Sequence, residues 1–447
     1  MFDRRLLSNF DWILFLLVMT ISLIGVMAIY SASQGYTEPT RYWLRQLNWI
    51  ALGTAAGFLV LLVDFRTIGN YAYLIHGGVV FSLLLLMFYG SGSGTVSVNR
   101  WFQVGPIAIQ PSEFAKFSMV LALAFHFRDA RRVGNIGWRG LIWPLVILLV
   151  PFFLIVRQPD LGTAVLLVLI FIPITLMAGV RMRLVVYSGA AGLLAIFALI
   201  GAFQFGYYQI DDTISPLLAR RGADKALLEE VEALKGQRFY LRSSFNARLA
   251  SFAVDEIGSS KAAAKHRLLI EQKAFHPFIS KVLRPYQQRR LITFINPDQD
   301  PLGAGYHVIQ SKVAIGSGRF WGKGYGESTQ GSLNFLPARH TDFLFSIFSE
   351  EWGFVGAAVL ILLYLLLILR GGTTILQTHD RFSAFLILGI LSIFTSQVLV
   401  NIGMAVGLLP VVGVPLPFFS YGGSSLITMM MGVGLILNIR MRRFLWS

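Results

Sequence analysis

Long apolar runs, separated by polar connections, constrain this chain more than any other feature of its sequence. A helix that crosses a lipid bilayer needs about 20 mostly apolar residues, because no water is present in the bilayer to satisfy backbone polar groups. Runs close to this length predict ten transmembrane helices at 11–31, 46–63, 71–89, 113–127, 141–156, 161–180, 184–208, 343–369, 382–409 and 424–439. The predicted fold is therefore an all-α polytopic membrane protein.

The charged residues agree with this fold class. They make up 14% of the 447 residues, whereas a soluble domain carries about 25%, so much of the surface must face lipid. A net charge of +15 would suggest a nucleic-acid partner in a soluble protein. Here the basic residues are concentrated in the segments between the apolar runs, which accounts for the net charge, and we expect no nucleic-acid binding. The chain contains no cysteine, which excludes disulfides, thiolate metal sites and thiol chemistry.

The basic residues predict the orientation of the helices, because short cytoplasmic loops of membrane proteins are rich in Lys and Arg. With the N-terminus inside, the inner segments carry Arg4, Arg5, Arg66, Arg128, Arg131, Arg132, Arg139, Arg181, Arg183, Arg370, Arg381, Arg440, Arg442 and Arg443. The short outer segments carry Arg41, Arg45, Arg100, Lys116 and Arg157. Both termini are therefore predicted to be cytoplasmic, which fits an even number of spans.

One long connection divides the chain. Predicted helices one to seven occupy 1–208, helices eight to ten occupy 343–447, and the connection between them is predicted to be a large loop on the outer face. Its first part, 209–290, is polar, and 224–235 has helix formers at helical spacing, so we expect a partly helical insert. Its second part, 291–342, is rich in glycine, serine and aromatic residues, and we expect a non-helical interfacial or re-entrant loop.

Ionisable residues near the apolar runs are candidates for function, since charge is costly in a membrane. Glu113 and Lys116 are three residues apart and share one helix face. Either they form an internal ion pair that packs helices, or Glu113 fixes Lys116 so that Lys116 and Arg100 can bind an anionic ligand. Asp160 lies between the fifth and sixth runs, where it is either a helix cap or a binding residue.

The glycine-rich part of the long loop holds further candidates, among them Gln310, Ser311 and Lys323. Dense glycines permit tight turns or a close approach of the backbone to a ligand, and a flexible linker is the alternative interpretation. The segment is not a Walker loop, because the Gly-Lys-Ser/Thr spacing is absent.

An aspartate directly before the eighth run is the strongest candidate for catalysis. Asp342 follows Arg339 and His340 closely in the sequence. An acid at a helix N-terminus can simply stabilise the helix dipole. Beside a cation and an imidazole near the outer interface, Asp342 can instead act as a general base.

These strings together resemble the SEDS family (shape, elongation, division and sporulation), which groups the RodA-, FtsW- and SpoVE-like proteins. The matching strings are NRW, QPSEFAK, RQPDLGTA, GAGYHVIQSKVAIGSG, LPARHTDFLFSIFSEEWG, NIGMAVGLLP and PLPFFSYGGSS. They fall in family order and cover nearly all the chain except about 211–283, where the polar insert is longer than expected for the family. The string PVVGVPLPF looks more like the RodA branch than the FtsW branch, whose counterpart often carries a lysine.

The resemblance implies a peptidoglycan glycosyltransferase of the bacterial cytoplasmic membrane that polymerises lipid II at the outer face for cell elongation and rod shape. It also implies a partner, a class B penicillin-binding protein that cross-links the product. By motif match, the essential aspartate of the family falls on Asp342. Other functional positions of the family fall on Arg100, Glu113, Lys116 and Asp160.

The implied reaction is attack of an acceptor hydroxyl on an anomeric carbon, with loss of a lipid pyrophosphate. Asp342 would accept the proton, and Arg100, Lys116, Lys323 and Arg339 would stabilise the anionic leaving group. A divalent cation, Mg²⁺ or Mn²⁺, would serve the same purpose, although no ligand cluster in the sequence marks a metal site and no cofactor is assigned.

Two other functions stay open at this point. A lipid II flippase would use a similar cationic cavity, but it should show polar residues across the whole membrane depth or paired broken helices. In this sequence the ionisable candidates gather near the predicted outer face, which favours chemistry there. A non-enzymatic scaffold for cell-wall enzymes is the third interpretation.

Overall fold

The computed structural model describes residues 9–34, 40–89, 91–92, 99–104, 107–128, 136–181, 294, 304–332 and 339–442. The chain divides into two compact units, one formed by Met1–Val185 with Thr293–Ser447 and the other by Val186–Ile292. The predicted span 184–208 and the predicted insert 209–290, including its expected helix at 224–235, lie outside the described residues.

Helices dominate the described part of the chain. They are α1 (Trp12–Ser33), α2 (Thr40–Leu62), α3 (Phe65–Asn70), α4 (Ala72–Tyr89), α5 (Pro111–Phe127), α6 (Trp138–Arg157), α7 (Leu161–Met177), α8 (Ala304–Ser317), α9 (Thr329–Ser332), α10 (Leu344–Leu376), α11 (Arg381–Ala405) and α12 (Gly423–Arg442). The strands are β1 (Ser91–Gly92), β2 (Asn99–Val104) and β3 (Ile107–Ile109), which form one antiparallel sheet in the order β1-β2-β3. The all-α prediction missed this sheet, which lies between α4 and α5.

Among the residues that the structure describes, six helices are long and apolar enough to cross a membrane by length and composition, namely α1, α2, α6, α10, α11 and α12. Two shorter apolar helices, α4 and α7, are also present. Together with α5, these helices coincide with every predicted span except 184–208. Apolar runs predicted them well because the tendency of such a run to be helical in lipid is a local property.

Helix α11 lies at the centre of the bundle, where it packs against α5, α7 and α10, while α12 packs along α2. Membrane helices associate closely where small residues face each other. A Cβ atom on Gly434 of α12 would overlap the backbone of Gly57 in α2. The same pair of helices is joined by Asn438, whose Nδ2 donates to the carbonyls of Val60 at 2.7 Å and Val63 at 2.6 Å.

One end of the bundle is joined by a charge cluster. Asp11 caps α1 by accepting a hydrogen bond from the Leu14 amide at 3.2 Å. The same carboxylate pairs with Arg370 of α10 and Arg440 of α12, each at 2.9 Å. A buried carboxylate needs such partners, and here they connect three helices at the end where the N-terminus enters the bundle.

Helix α10 is broken near its N-terminal end, at Gly353, which has φ 64° and ψ −163°. The carbonyls of Glu350 and Glu351 accept from the amides of Lys323 and Gly324, each at 3.0 Å. On the other side of the break, the Phe354 amide donates to the carbonyl of residue 319 at 2.9 Å. The backbone that follows α8 therefore satisfies the polar groups that the break leaves free, as lipid could not.

The sequence predicted a non-helical loop across 291–342, and this is wrong for 304–317, which forms helix α8. Val308, Ser311 and Ala314 of α8 are buried, at the spacing of one helix face. This face packs on α10 and α11. Burial of that face outweighs the low helix propensity of the surrounding glycines.

Candidate functional site

Asp342 lies in a turn over 339–343, which we call the Asp342 turn, directly before α10 begins at Leu344. The N-cap residue of α10 is Phe343, so Asp342 does not occupy the cap position. The side chain of Asp342 is half-buried. Its backbone carbonyl accepts a hydrogen bond at 3.0 Å from Nδ2 of Asn401 in α11. The Asp342 turn is therefore attached to the central helix of the bundle.

Arg339 and His340 form the first part of the Asp342 turn. Arg339 is only 1% exposed and donates through Nη1 to the carbonyl of Gly331. The His340 ring lies 4.7 Å from the Tyr42 ring and 5.6 Å from the Tyr421 ring, centroid to centroid. The amide of Tyr421 also donates to the His340 carbonyl at 3.1 Å. Arg339, His340 and Asp342 therefore share one turn, as their closeness in the sequence requires.

Burial, and to a smaller degree the nearby charge of Arg339, lower the pKa of the His340 imidazole to about 4. A histidine with such a pKa is neutral at pH 7. His340 can therefore contribute hydrogen bonds and aromatic contacts to the site at that pH, and the positive charge of the turn comes from Arg339.

Lys116 and Glu113 form the predicted pair. The distance from Lys116 Nζ to Glu113 Oε2 is 2.9 Å, and the Lys116 side chain is fully buried within α5. The contact itself fits both interpretations of this pair, and the full burial of the Lys116 side chain favours the internal ion pair. A buried pair of this kind is costly to break, because the remaining charge loses its partner.

Asp160 is a helix cap, as one interpretation of the sequence had it. Its Oδ1 accepts from the amide of Thr163 at 3.3 Å at the start of α7. Its Oδ2 accepts from the hydroxyls of Thr163 at 2.9 Å and Ser112 at 3.1 Å, and from Nε2 of Gln110 at 3.1 Å. One carboxylate thus fixes the beginnings of α5 and α7 together.

Arg100, on strand β2, contacts the connection between α6 and α7. Its Nε donates to the carbonyl of Gln158 at 3.0 Å, and its Nη2 donates to the carbonyl of Pro159. Both contacts are with backbone oxygens directly before Asp160. The geometry therefore gives Arg100 a role in holding this connection.

The predicted residues of the glycine-rich segment lie in different surroundings. Lys323 Nζ lies 2.5 Å from Glu350 Oε1 and 2.9 Å from Thr329 Oγ1. Ser311 is buried, with its Oγ 2.6 Å from Ser346 Oγ and donating at 2.6 Å to the carbonyl of Ala405. Gln310 is half-buried on α8. Lys323 and Ser311 therefore connect helices in this structure.

A proline- and glycine-rich segment, 410–425, links the Asp342 turn to the group of residues that hydrogen-bond Asp160, which includes Gln110. The carbonyl of Val414 accepts from Asn401 at 2.7 Å, and Tyr421 contacts the Asp342 turn as described above. Ser424 then donates to the carbonyl of Ala108 at 2.9 Å and accepts from the amide of Gln110 at 3.2 Å. One continuous stretch of chain thus contacts both groups of candidate residues.

Asn401 and Tyr421 are parts of this arrangement that sequence reasoning did not single out. Asn401 is an amide inside an apolar run, and a polar residue in such a run is itself a signal. Glu350 stands in the string LPARHTDFLFSIFSEEWG, but no role was predicted for it. Tyr421 gives no comparable signal, because its role depends on a contact between distant parts of the chain.

A metal ion finds little support in the described part of the chain. There, no three acidic or histidine residues come together in a way that could hold one. Mg²⁺ is often bound by one or two carboxylates together with the phosphates of a substrate. A divalent cation at the Asp342 turn would depend on such phosphates, and no catalytic step below requires it.

A comparison with protein-family models gives the decisive match. The model for FtsW, RodA and SpoVE, described as cell cycle protein, matches residues 11–219 and 262–444. The chain belongs to the FtsW/RodA/SpoVE family. The internal part that the model does not match, 220–261, lies within the predicted polar insert, and all the candidate residues above fall inside the matched ranges.

Individual members of the FtsW/RodA/SpoVE family align along nearly the whole chain. The peptidoglycan glycosyltransferase RodA of Treponema pallidum is 34% identical over 98% of this chain and 99% of its own length. The peptidoglycan glycosyltransferase MrdB of Escherichia coli K12 is 31% identical over 98% and 95%. The stage V sporulation protein E of Bacillus subtilis is 30% identical over 96% of each chain.

Solved structures show the same fold. A chain of a peptidoglycan synthase complex, reported as coordinating polymerization and crosslinking, matches with a TM-score of 0.65 and 26% identity over 97% of this chain and 98% of that chain. The rod shape-determining protein RodA of Thermus thermophilus matches with a TM-score of 0.55 and 23% identity over the same shares. The fold described above is thus shared with two solved structures.

Proposed function

We propose that this chain is a peptidoglycan glycosyltransferase that polymerises lipid II into glycan strands for cell elongation and rod shape. The observation that carries the proposal is the Asp342 turn, which contains both a half-buried carboxylate, Asp342, and a buried guanidinium, Arg339. This turn stands in a chain whose relatives at 34% and 31% identity are peptidoglycan glycosyltransferases.

The depth of the turn supports chemistry at a membrane surface. Asn401, which holds the Asp342 carbonyl, and Arg381 lie near opposite ends of α11. At 1.5 Å per residue they are about 30 Å apart, which is close to the thickness of the hydrocarbon core, about 30 Å. The Asp342 turn would then lie at the level of the pyrophosphate and sugars of lipid II. The predicted orientation makes this the outer face of the cytoplasmic membrane, with both termini inside.

In the proposed reaction, a sugar hydroxyl of one lipid-linked substrate attacks the anomeric carbon of the other. Asp342 accepts the hydroxyl proton as the new C–O bond forms, a contribution of about 10²–10⁴-fold for a general base. The bond between the anomeric carbon and the pyrophosphate oxygen breaks, and the lipid pyrophosphate leaves with its negative charge. Arg339, three residues before Asp342, would stabilise that charge.

The other basic candidates have a different part in this proposal. Lys116 is paired with Glu113, Lys323 is paired with Glu350, and Arg100 donates to two carbonyls. We assign these three residues to holding the elements around the site. Electrostatic stabilisation of the pyrophosphate from within the protein is assigned to Arg339, which is 1% exposed.

The proposed setting is the bacterial cytoplasmic membrane, crossed by about ten helices. The proposed partner is a class B penicillin-binding protein that cross-links the new glycan. Support for a partner comes from the similarity to a chain of a peptidoglycan synthase complex whose reported theme is the coordination of polymerization and crosslinking.

The main rival is a lipid II flippase. Helix α10 is broken, which is a feature of transporters, but the backbone groups at its break are hydrogen-bonded to backbone of the same chain. A scaffold without catalytic activity is the remaining alternative.

One experiment separates these functions. The full-length protein, purified with its cognate class B penicillin-binding protein, is placed in liposomes with fluorescent lipid II, and both glycan products and lipid II in each leaflet are measured. We expect glycan strands, with no product from the penicillin-binding protein alone. Transfer of lipid II between leaflets without glycan product would identify a flippase, and neither result would leave a scaffold.

A further inference from the structure

A fully buried carboxylate lies outside the Asp342 turn, on α10. Oε1 of Glu350 accepts from Lys323 Nζ at 2.5 Å, from the Thr329 amide at 3.1 Å and from Thr329 Oγ1 at 2.7 Å. Oε2 accepts from Ser328 Oγ at 2.6 Å and from the Gln330 amide at 3.3 Å. A buried charge is stable only when paired and hydrogen-bonded in this way. Most of these donors belong to one short stretch of chain, 328–331, which we call the bridging segment.

The bridging segment is held from both sides. Its Thr329 and Gln330 amides face Glu350, and Ser328 Oγ also accepts from the Gly331 amide at 3.0 Å. The carbonyl of Gly331 then accepts the hydrogen bond from Arg339. A continuous series of hydrogen bonds therefore runs from α10 through the bridging segment to the guanidinium of the Asp342 turn.

We propose that Glu350 is a positioning residue for the glycosyl transfer, because it fixes the bridging segment, whose Gly331 carbonyl in turn fixes the direction of Arg339. The proposal rests on the proposed function for its catalytic consequence. A long arginine side chain can adopt many rotamers, so an acceptor that is itself immobile is needed to keep the guanidinium in one place. Misplacement of a reacting group by about 1 Å can cost about 100-fold in rate.

Glu350→Gln is the variant that breaks this link with the least change in volume. Each oxygen of Glu350 accepts from a backbone amide, Thr329 on one side and Gln330 on the other. The NH₂ group of a glutamine would therefore face an N–H donor in either orientation, and one amide would lose its partner. The matched control is Glu351→Gln, the next residue, which is also buried but whose carboxylate accepts from Ser31 of α1 and from the backbone of Gly326 rather than from the bridging segment.

Two measurements test the proposal on the full-length protein with its penicillin-binding partner. The first is hydrogen–deuterium exchange of peptides over 328–342. We expect faster exchange there in Glu350→Gln and wild-type exchange in Glu351→Gln. Unchanged exchange in Glu350→Gln would overturn the structural link. This measurement is independent of activity, so it decides the link even if wild-type protein makes no glycan, a result that would count against the proposed function.

The second measurement is the steady-state rate of lipid II polymerisation. We expect kcat to fall at least about tenfold in Glu350→Gln while KM stays within about twofold of wild type. The reason is that the variant loses the correct placement of the Arg339 guanidinium but keeps its affinity for the substrate. Glu351→Gln should keep kcat within about twofold of wild type. An equal loss in both variants, or wild-type kcat in Glu350→Gln, would overturn the positioning role.

A double-mutant cycle with Arg339→Lys shows whether Glu350 acts through Arg339. Lysine keeps the charge but loses the planar fork, so the route from Glu350 is already interrupted. We expect Glu350→Gln to lower kcat by less than about twofold in that background, since residues acting in one chain are not additive. If Glu350→Gln lowered kcat by the same factor in wild-type protein and in the Arg339→Lys variant, the proposal would be overturned. If Glu350→Gln does not fold, Ser328→Ala interrupts the same series of hydrogen bonds, and we expect a smaller loss of kcat from it. An equal factor of kcat loss in wild-type protein and in Arg339→Lys would again overturn the proposal.

Discussion

At the scale of the residue, Asn401 decides where the Asp342 turn sits. Both hydrogens of its Nδ2 are donated to backbone carbonyls, one of Asp342 and one of Val414. The residue is fully buried in α11, so these bonds are made without competition from water. A buried donor that loses its partner costs about 1–3 kcal/mol. Moving the Asp342 carbonyl away from Asn401 would carry this cost, so Asn401 holds the Asp342 turn in its position.

We predict that Asn401→Asp lowers kcat for lipid II polymerisation at least about tenfold, because a carboxylate repels the two carbonyls that the amide now holds. The matched control is Asn438→Asp, which removes a similar two-carbonyl contact, to Val60 and Val63, at the other end of the bundle. We expect the control to lower the melting temperature to a similar extent while kcat per folded protein stays within about twofold of wild type. Equal kcat losses in both variants would show that Asn401 acts through general stability alone.

At the scale of the element, the break in α10 lets two stretches of backbone, one around Gly322 and one around Gly353, pack directly against each other. Gly353 has a positive φ, and a Cβ atom there would collide with the amide nitrogen of Gly322. We predict that Gly353→Ala lowers the stability of the purified protein by about 1–3 kcal/mol or more, measured as a lower thermal unfolding midpoint in detergent.

Gly372→Ala is the control for that substitution. Gly372 lies in the same helix, and a Cβ atom there would meet nothing within 4 Å. We expect this variant to be neutral or stabilising by about 0.5–1 kcal/mol, since alanine is the better helix former. An unfolding midpoint for Gly353→Ala as high as that of Gly372→Ala would contradict the account of the break.

The elements differ in how far the sequence predicts them. Apolar runs predicted the membrane helices, and local spacing predicted both the Glu113–Lys116 pair and the possibility that Asp160 caps a helix. The glycines around 318–324 predicted tight turns or a close approach of the backbone to a ligand, whereas in the structure their backbone closely approaches the broken end of α10 in the same chain. The contacts of Arg100 and Asn401 join residues far apart in sequence, and no local pattern carries that information.

At the scale of the whole molecule, the two ends of the bundle are built differently. One end is joined by a charge cluster in which Arg370 and Arg440 share Asp11. The other end is joined by hydrogen bonds to backbone around the Asp342 turn, with the segment 410–425 in contact with both groups of candidate residues. A rigid site at one membrane surface suits a reaction between two lipid-linked substrates, since holding both in place removes much of the entropic barrier.

The most direct test of the account compares Asp342→Asn with wild type in polymerisation of purified lipid II, using full-length protein with its class B penicillin-binding partner at equal amounts of folded complex. Asparagine keeps the size of the side chain but cannot accept the hydroxyl proton at pH 7. The account predicts an initial rate about 10²–10⁴-fold below wild type, with lipid II binding retained. A rate within about threefold of wild type would contradict the assignment of Asp342 as the base.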